Sequence, residues 1–448
     1  MIDYTLLLAV FIGIVILLVL ILYFKIPAFI SLLIASILVG ILSGMEPYSI
    51  IKTIQQGMGN TLGFVATVVG LGAMFGAILE HSGGAEAMTQ FLLKKIGEKH
   101  APWAMMLTGF FVAIPVFFDV AFIILVPLIY SVQRKTKKSL LLYAIPLLAG
   151  LAITHAFIPP TPGPVAVADI LKADLGWVIL FGFICGIPTA IISGPIFGRY
   201  IAKRINVKAP KLLDKETITE NPPNVGIVIG IIALPILLII SNSFINSALF
   251  PDNFFSSNLK NWLKMIGHPF TALILANIIA WYLLGIKRGL NKTQLLKITS
   301  KSLAPAGIII LLTGAGGVFK QILINTGTGT MLANHFANSG LSILFFAFIS
   351  AAITRILQGS STVAMITAAG LTAPLLTSEI SDFSRALLVI AIASGASILS
   401  HVNDSGFWLV SKYLGLNEKE TFKSWTTMTT ILAIIGFGTA SIIFVAIN

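Results

Sequence analysis

Four short segments, each set inside a long apolar stretch, hold the side chains able to move a proton or grip a small polar solute. Residues 114–119 read Ile-Pro-Val-Phe-Phe-Asp and 154–164 read Thr-His-Ala-Phe-Ile-Pro-Pro-Thr-Pro-Gly-Pro. Residues 358–362 read Gln-Gly-Ser-Ser-Thr, and 400–406 read Ser-His-Val-Asn-Asp-Ser-Gly. Asp119 is the only carboxylate between Glu98 and Asp169. A charge at the centre of a bilayer costs about 2.5–3.5 kcal/mol on insertion scales, so it needs a partner, a proton or a wet cavity. An Asp placed there can equally cap the helix that follows it. By residue type, Asp119, Asp404, His155 and His401 are the groups able to carry a proton. Gly359 followed by Ser360, Ser361 and Thr362 opens a helix with free N–H groups and the positive end of a dipole, which suits an anion. The same small residues also ease packing between membrane helices. Arg355, one turn earlier, could neutralise a substrate carboxylate or pair with Asp119 or Asp404. Thr161, Gly163, Gln358, Asn403, Ser405 and Gly406 complete the candidate binding set.

These segments matter because irregular backbone survives within a bilayer only where it lines a cavity or is buried in protein. Of 448 residues 56% are hydrophobic and 10% charged, and the mean hydropathy is +0.96. No soluble domain of this size has that composition. Stretches near 20 residues recur at 4–24, 26–44, 61–80, 177–198, 225–247, 263–285, 303–324 and 425–447, each long enough to span about 30 Å as a helix. The first has neither a basic leader nor a cleavage site and is expected to be a span. A net charge of +12 comes from Lys and Arg in short loops, as membrane topology requires, so no nucleic-acid partner is indicated. The single cysteine, Cys185, rules out a disulfide within the chain, and no metal or cofactor motif is present.

The two halves repeat. Gly72, Phe75, Ile78, Leu79 and Gly83 fall on Gly316, Phe319, Ile322, Leu323 and Gly327, each 244 positions on. Val120-Ala121 and Gly163 fall on Val363-Ala364 and Gly406, each 243 positions on. The loop 131–139 holds Arg134, Lys135, Lys137 and Lys138, whereas its counterpart 378–382 holds no basic residue. Opposite charge bias in equivalent loops is the mark of an inverted repeat. The expected fold is all-α and polytopic, with two re-entrant hairpins (103–130 and 340–377) and two broken helices (140–171 and 384–414). The first half covers 1–204: spans 4–24, 26–44 and 61–80, transport elements 103–171, and span 177–198. A cytoplasmic linker covers 205–224. The second half covers 225–448: spans 225–247, 263–285 and 303–324, transport elements 340–414, and the last span 425–447. Residues 45–60 are expected outside as a connection. Two features go against the charge bias of this arrangement: Lys260 and Lys264 fall outside, and residues 81–101 mix Lys94, Lys95 and Lys99 with Glu86 and Glu98.

Gly/Pro-interrupted segments at matching positions of two halves point to a transporter's binding site. Three other readings use the same residues: a Na⁺-coupled carboxylate carrier, a channel, or an intramembrane enzyme with Asp119 and Asp404 as a dyad. The four motifs, in this order and over nearly the whole chain, resemble those of the gluconate:proton symporter (GntP-type) family of bacterial permeases, within the ion transporter superfamily. That resemblance implies uptake of gluconate or a related sugar acid with protons across the inner membrane. D-serine and glycerate are alternative substrates within the family. It also implies a homodimer whose transport domain moves as an elevator.

Overall fold

The structure, a computed structural model, describes residues 4–97, 100–114, 116–209, 222–246, 256–327, 342–376, 380–401 and 404–447. Among them every regular element is a helix, and seven helices are long and apolar enough to cross a membrane. The protein is a multi-pass membrane protein.

The first half opens with α1 (Tyr4–Leu22) and α2 (Ala28–Leu42), packed on one another. Next comes α3 (Pro47–His81), 35 residues and about 50 Å long. The polar residues around Lys52 and Asn60 made 45–60 look like a connection. They are instead the first turns of α3, which starts early because Pro47 is preorganised for N1 and Glu46 accepts from Tyr48 and Ser49 N–H. After α4 (Gly84–Ile96), the first hairpin is α5 (Ala101–Val112) with α6 (Phe118–Thr136). The first broken helix is α7 (Leu141–Phe157) with α8 (Pro162–Leu171), and α9 (Leu175–Arg204) closes the half.

The second half has α10 (Val225–Asn246), α11 (Ser257–Gly267), α12 (Pro269–Arg288) and the 34-residue α13 (Lys292–Asn325). The stretch expected as one span over 263–285 divides at His268, whose Nδ1 accepts from Phe270 N–H while Pro269 starts the new helix. The second hairpin is α14 (Ile343–Gln358) with α15 (Ser361–Thr372). The second broken helix is α16 (Asp382–Gly395) with α17 (Ser405–Leu414), and α18 (Glu418–Ile447) ends the chain. Most of the expected linker, residues 210–221, lies outside the described residues, as does Pro115.

The repeat persists in the helix boundaries. Phe118 and Ser361, Pro162 and Ser405, and Leu175 and Glu418 all begin helices 243 positions apart. Even the caps agree: Asp174 and Asn417 each accept backbone N–H groups of the helix they precede. The fold is two inverted repeats, each with a re-entrant hairpin and a broken helix. Their long helices α3 and α13 pack side by side, and a Cβ on Gly317 would lie 2.0 Å from Thr61 Oγ1, so only glycine allows that approach. The hairpin arm α5 meets α7 in the same way, with Gly109 set against the Leu147 carbonyl.

Candidate functional site

The interruptions of both hairpins and of the second broken helix meet at one cavity of about 590 Å³. Hairpin one supplies Phe117, Phe118 and Asp119; hairpin two supplies Arg355, Gly359, Ser360, Ser361 and Thr362. Broken helix two supplies Ser397, Asp404, Ser405 and Gly406. His155 enters from the end of α7, flanked by Ala152 and Ala156 on the same helix face, and Trp425, Thr429 and Leu432 form a face of α18.

Hairpin two turns tightly because Gly359 takes a left-handed conformation (φ +87°) that closes α14, its N–H donating to the Arg355 carbonyl at 2.9 Å. Arg355 then clasps its own hairpin tip: Nη1 donates to the Gly359 carbonyl and Nη2 pairs with Asp404 Oδ2. Of the three roles open to this arginine, the structure has the pair with Asp404. Asp404 also accepts from Ser400 Oγ and, through Oδ1, caps α17 at Gly406 N–H (3.1 Å). Ser400 Oγ in turn accepts from Trp425 Nε1 at 2.6 Å, and Thr426 Oγ1 donates to the Ser400 carbonyl. The network ties α14, the second break and α18 into one unit. Every buried side-chain polar atom in it except Arg355 Nε gains a partner, which is what lets a charge pair persist there.

Asp119 lies in the first turn of α6, exposed to the cavity, and Phe117 before it caps without a side-chain bond. Asp119 makes neither an ion pair nor a hydrogen bond with any described residue. His155 is half-buried with its ring 6.3 Å from that of Phe117, and its buried Nδ1 has no hydrogen-bond partner. His401 does not line the cavity; its Nε2–H donates to the Ile356 carbonyl at 2.9 Å, pinning the break to α14.

The first break behaves differently. Thr161 is buried and its Oγ1 donates to the Ile158 carbonyl at 2.7 Å. It borders a separate void of about 10 Å³ with Gly72, Pro160 and Pro162, room for about one water. Gly163 packs under Met365, whose Sδ would lie 2.7 Å from an added Cβ. Neither residue reaches the cavity. Gln358 ends α14, and Asn403 lies outside the described residues. Sequence reasoning passed over Trp425, Ser397, Thr429 and Leu432. The i, i+4, i+7 spacing of Trp425, Thr429 and Leu432 was the available signal, but inside an apolar stretch it reads as core.

Broken helices and re-entrant hairpins around a shared polar cavity, within an all-helical membrane protein, define the class: a polytopic transporter built from inverted repeats. Two solved transporters share the fold. MtrF of Neisseria gonorrhoeae, described within a class of antimetabolite efflux pumps, superposes with a TM-score of 0.66 at 15% identity, over 92% of this chain and 94% of that one. The YdaH transporter of Alcanivorax borkumensis gives 0.64 at 13%, over 94% and 97%. Residues 5–447 match the model of the GntP family permeases, and the chain belongs to that family. Its relatives include a gluconate permease of Pseudomonas aeruginosa, 41% identical over 438 residues, 97% of this chain and 96% of that protein. A low-affinity gluconate transporter of Escherichia coli is 40% identical over 426 residues, 95% of each chain. A gluconate permease of Bacillus subtilis is 38% identical over 433 residues, 95% of this chain and 96% of that one.

Proposed function

We propose that this protein imports gluconate, or a closely related small sugar acid, together with protons across a bacterial inner membrane. The observation that carries the reading is the cavity itself, where two hairpin tips and a broken helix present one set of anion-binding and proton-binding groups. Its size falls in the roughly 300–1,000 Å³ range of small-molecule sites. The names of the relatives supply the substrate class.

The substrate carboxylate sits at the N-terminus of α15. There the N–H groups of Ser361 and Thr362 have no helical carbonyl one turn earlier to receive them. Ser360 serves as N-cap, its Oγ accepting from Val363 N–H at 3.4 Å. The other break helices suit an anion less. Pro162 and Pro164 give α8 few donors, Asp404 occupies the α17 end, and α6 carries Asp119. The hydroxyl chain then runs toward Ser405 and the aromatic floor of Trp425 and Phe118, whose rings lie 5.6 Å apart. One proton per monoanion moves no net charge, so a pH gradient drives the cycle and the membrane potential does not.

In this reading the hairpins and broken helices, 103–171 and 340–414, form a transport unit that rises and falls as an elevator. It moves against a scaffold made of spans 4–24, 26–44, 61–80, 225–247, 263–285 and 303–324, in a homodimer. An enzymatic dyad is disfavoured because Asp404 is committed to Arg355, Ser400 and Gly406. The test is labelled D-gluconate uptake into proteoliposomes under an inward proton gradient without Na⁺. Saturable accumulation abolished by a protonophore is expected. Uptake that requires Na⁺ would establish the carboxylate-carrier rival, and competition by D-serine or glycerate alone would move the substrate.

A further inference from the structure

We infer that Asp119 is the proton-carrying group, and that its negative charge excludes the anionic substrate until a proton has bound. This rests on the symport reading above and decides where the proton resides. Four residues are eligible by type, and the geometry separates them. His401 is consumed by the Ile356 carbonyl and lies off the cavity. Asp404 is held by Arg355, Ser400 and the Gly406 N–H, so protonating it would dismantle the network that joins hairpin two to the second break. His155 would become a cation with its buried Nδ1 facing no acceptor, which costs free energy. Asp119 alone is open to the cavity with nothing committed to it among the described residues.

Among the described residues, the charged and titratable groups sharing the cavity with Asp119 are His155, Arg355 and Asp404. Those on the packed helices α4 and α17 (Glu86, Lys94, Lys95 and Lys412) lie off it. Arg355 and Asp404 cancel, which leaves Asp119 to set the net charge. With Asp119 ionised, an arriving carboxylate meets a second negative charge. At about 7 Å and an effective dielectric near 20, that repulsion is worth roughly fiftyfold in affinity. With Asp119 protonated the repulsion vanishes, and its O–H can donate to the substrate. Empty carrier (Asp119 ionised) and loaded carrier (Asp119 protonated, anion bound) then hold the same charge, so proton and anion cross as a pair. The repeat equivalent of Asp119, 243 positions on, is Thr362 at the anion-binding helix start. The two tips would therefore divide the labour, one taking the proton and the other the carboxylate.

The experiment is D-gluconate binding to purified protein from pH 5.5 to 8.5, followed by counterflow and gradient-driven uptake in proteoliposomes. It compares wild type, Asp119→Asn and His155→Gln. Wild-type Kd is expected to rise by up to about tenfold per pH unit on its alkaline limb. Asp119→Asn, locked in the neutral form, should bind with a Kd constant within about twofold. It should also keep counterflow and lose accumulation driven by the pH gradient. His155→Gln should keep the wild-type slope. An Asp119→Asn protein that retains the slope and still accumulates gluconate overturns the inference. So does one that is folded but binds at no pH, or a His155→Gln protein whose slope is gone. A wild type that neither binds nor transports gluconate would instead overturn the function proposed above.

Discussion

Thr161 and Asp404 occupy equivalent points of the two repeats, 243 positions apart, each the last residue before the second half of a broken helix. Their backbones are alike, with φ −59° and ψ 143° at one and φ −106° and ψ 131° at the other. Their surroundings are not. Thr161 turns its hydroxyl back to the Ile158 carbonyl, amid Pro159, Pro160 and Pro162, beside a void of about 10 Å³. Asp404 caps its helix, pairs with Arg355 and faces a cavity of about 590 Å³. An inverted repeat therefore duplicates the break in the backbone without duplicating its use. The proline-rich break needs no charged partner, because proline has no N–H to satisfy and Thr161 bonds back to the Ile158 carbonyl. The polar break holds a charge, and that charge obliges hairpin two to supply Arg355.

The sharpest way to break this comparison is Asp404→Asn. Asn retains a capping oxygen for Gly406 N–H but strands the Arg355 guanidinium, only 5% exposed. Breaking one side of a buried pair costs about 3–5 kcal/mol. Gluconate uptake should fall by about a hundredfold or more, with a lowered Tm. Fluorescence-detected thermal unfolding beside proteoliposome flux checks both. Near-normal Tm and flux would show the pair to be dispensable.

A smaller effect is expected at the far end of the same network. Trp425→Phe keeps an aromatic ring beside Phe118 but removes the Nε1–H that Ser400 Oγ accepts at 2.6 Å. A neutral hydrogen bond is worth about 1 kcal/mol net. Ser400, freed on that side, should hold Asp404 less firmly, raising the KM for gluconate by about three- to tenfold with little change in Tm. An unchanged KM would confine the network's influence to Asp404 and Arg355.

The sequence made the breaks easy to find and their roles hard to tell apart. Pro, Gly and polar side chains stand out against apolar neighbours, so both hairpins and both broken helices could be placed near their helix ends. The repeat offset was legible because caps and turns are fixed by local chemistry, as at Asp174 and Asn417. What faces the cavity is set by tertiary packing, and sequence spacing does not carry that. Thr161 and Gly163 sit in the break that matches the one holding Ser405 and Gly406, yet they pack against Ile158 and Met365. Trp425 carries no local sign that its indole meets Ser400, 25 residues earlier. The polar face of residues 47–60 likewise looked like a loop. It is helical because α13 runs alongside, with Asn325 Nδ2 donating to Thr53 Oγ1 at 2.9 Å.

The smallest effect should come from the other side of the comparison, and it is the one that sharpens it. Thr161→Val keeps the β-branched shape that suits the extended backbone at that position and removes only the hydroxyl. The lost bond to the Ile158 carbonyl costs about 1 kcal/mol, with part of that carbonyl's need still met by Thr161 N–H at 3.4 Å. Because Thr161 does not line the larger cavity, the KM for gluconate and the pH dependence of uptake should stay within about twofold of wild type, while Tm drops by about a degree. A KM shift of tenfold or more would mean that the proline-rich break reaches the substrate in another state of the transport cycle. The two breaks would then be alternating halves of one site, and the division of labour drawn from Thr161 and Asp404 would hold only for the state described here.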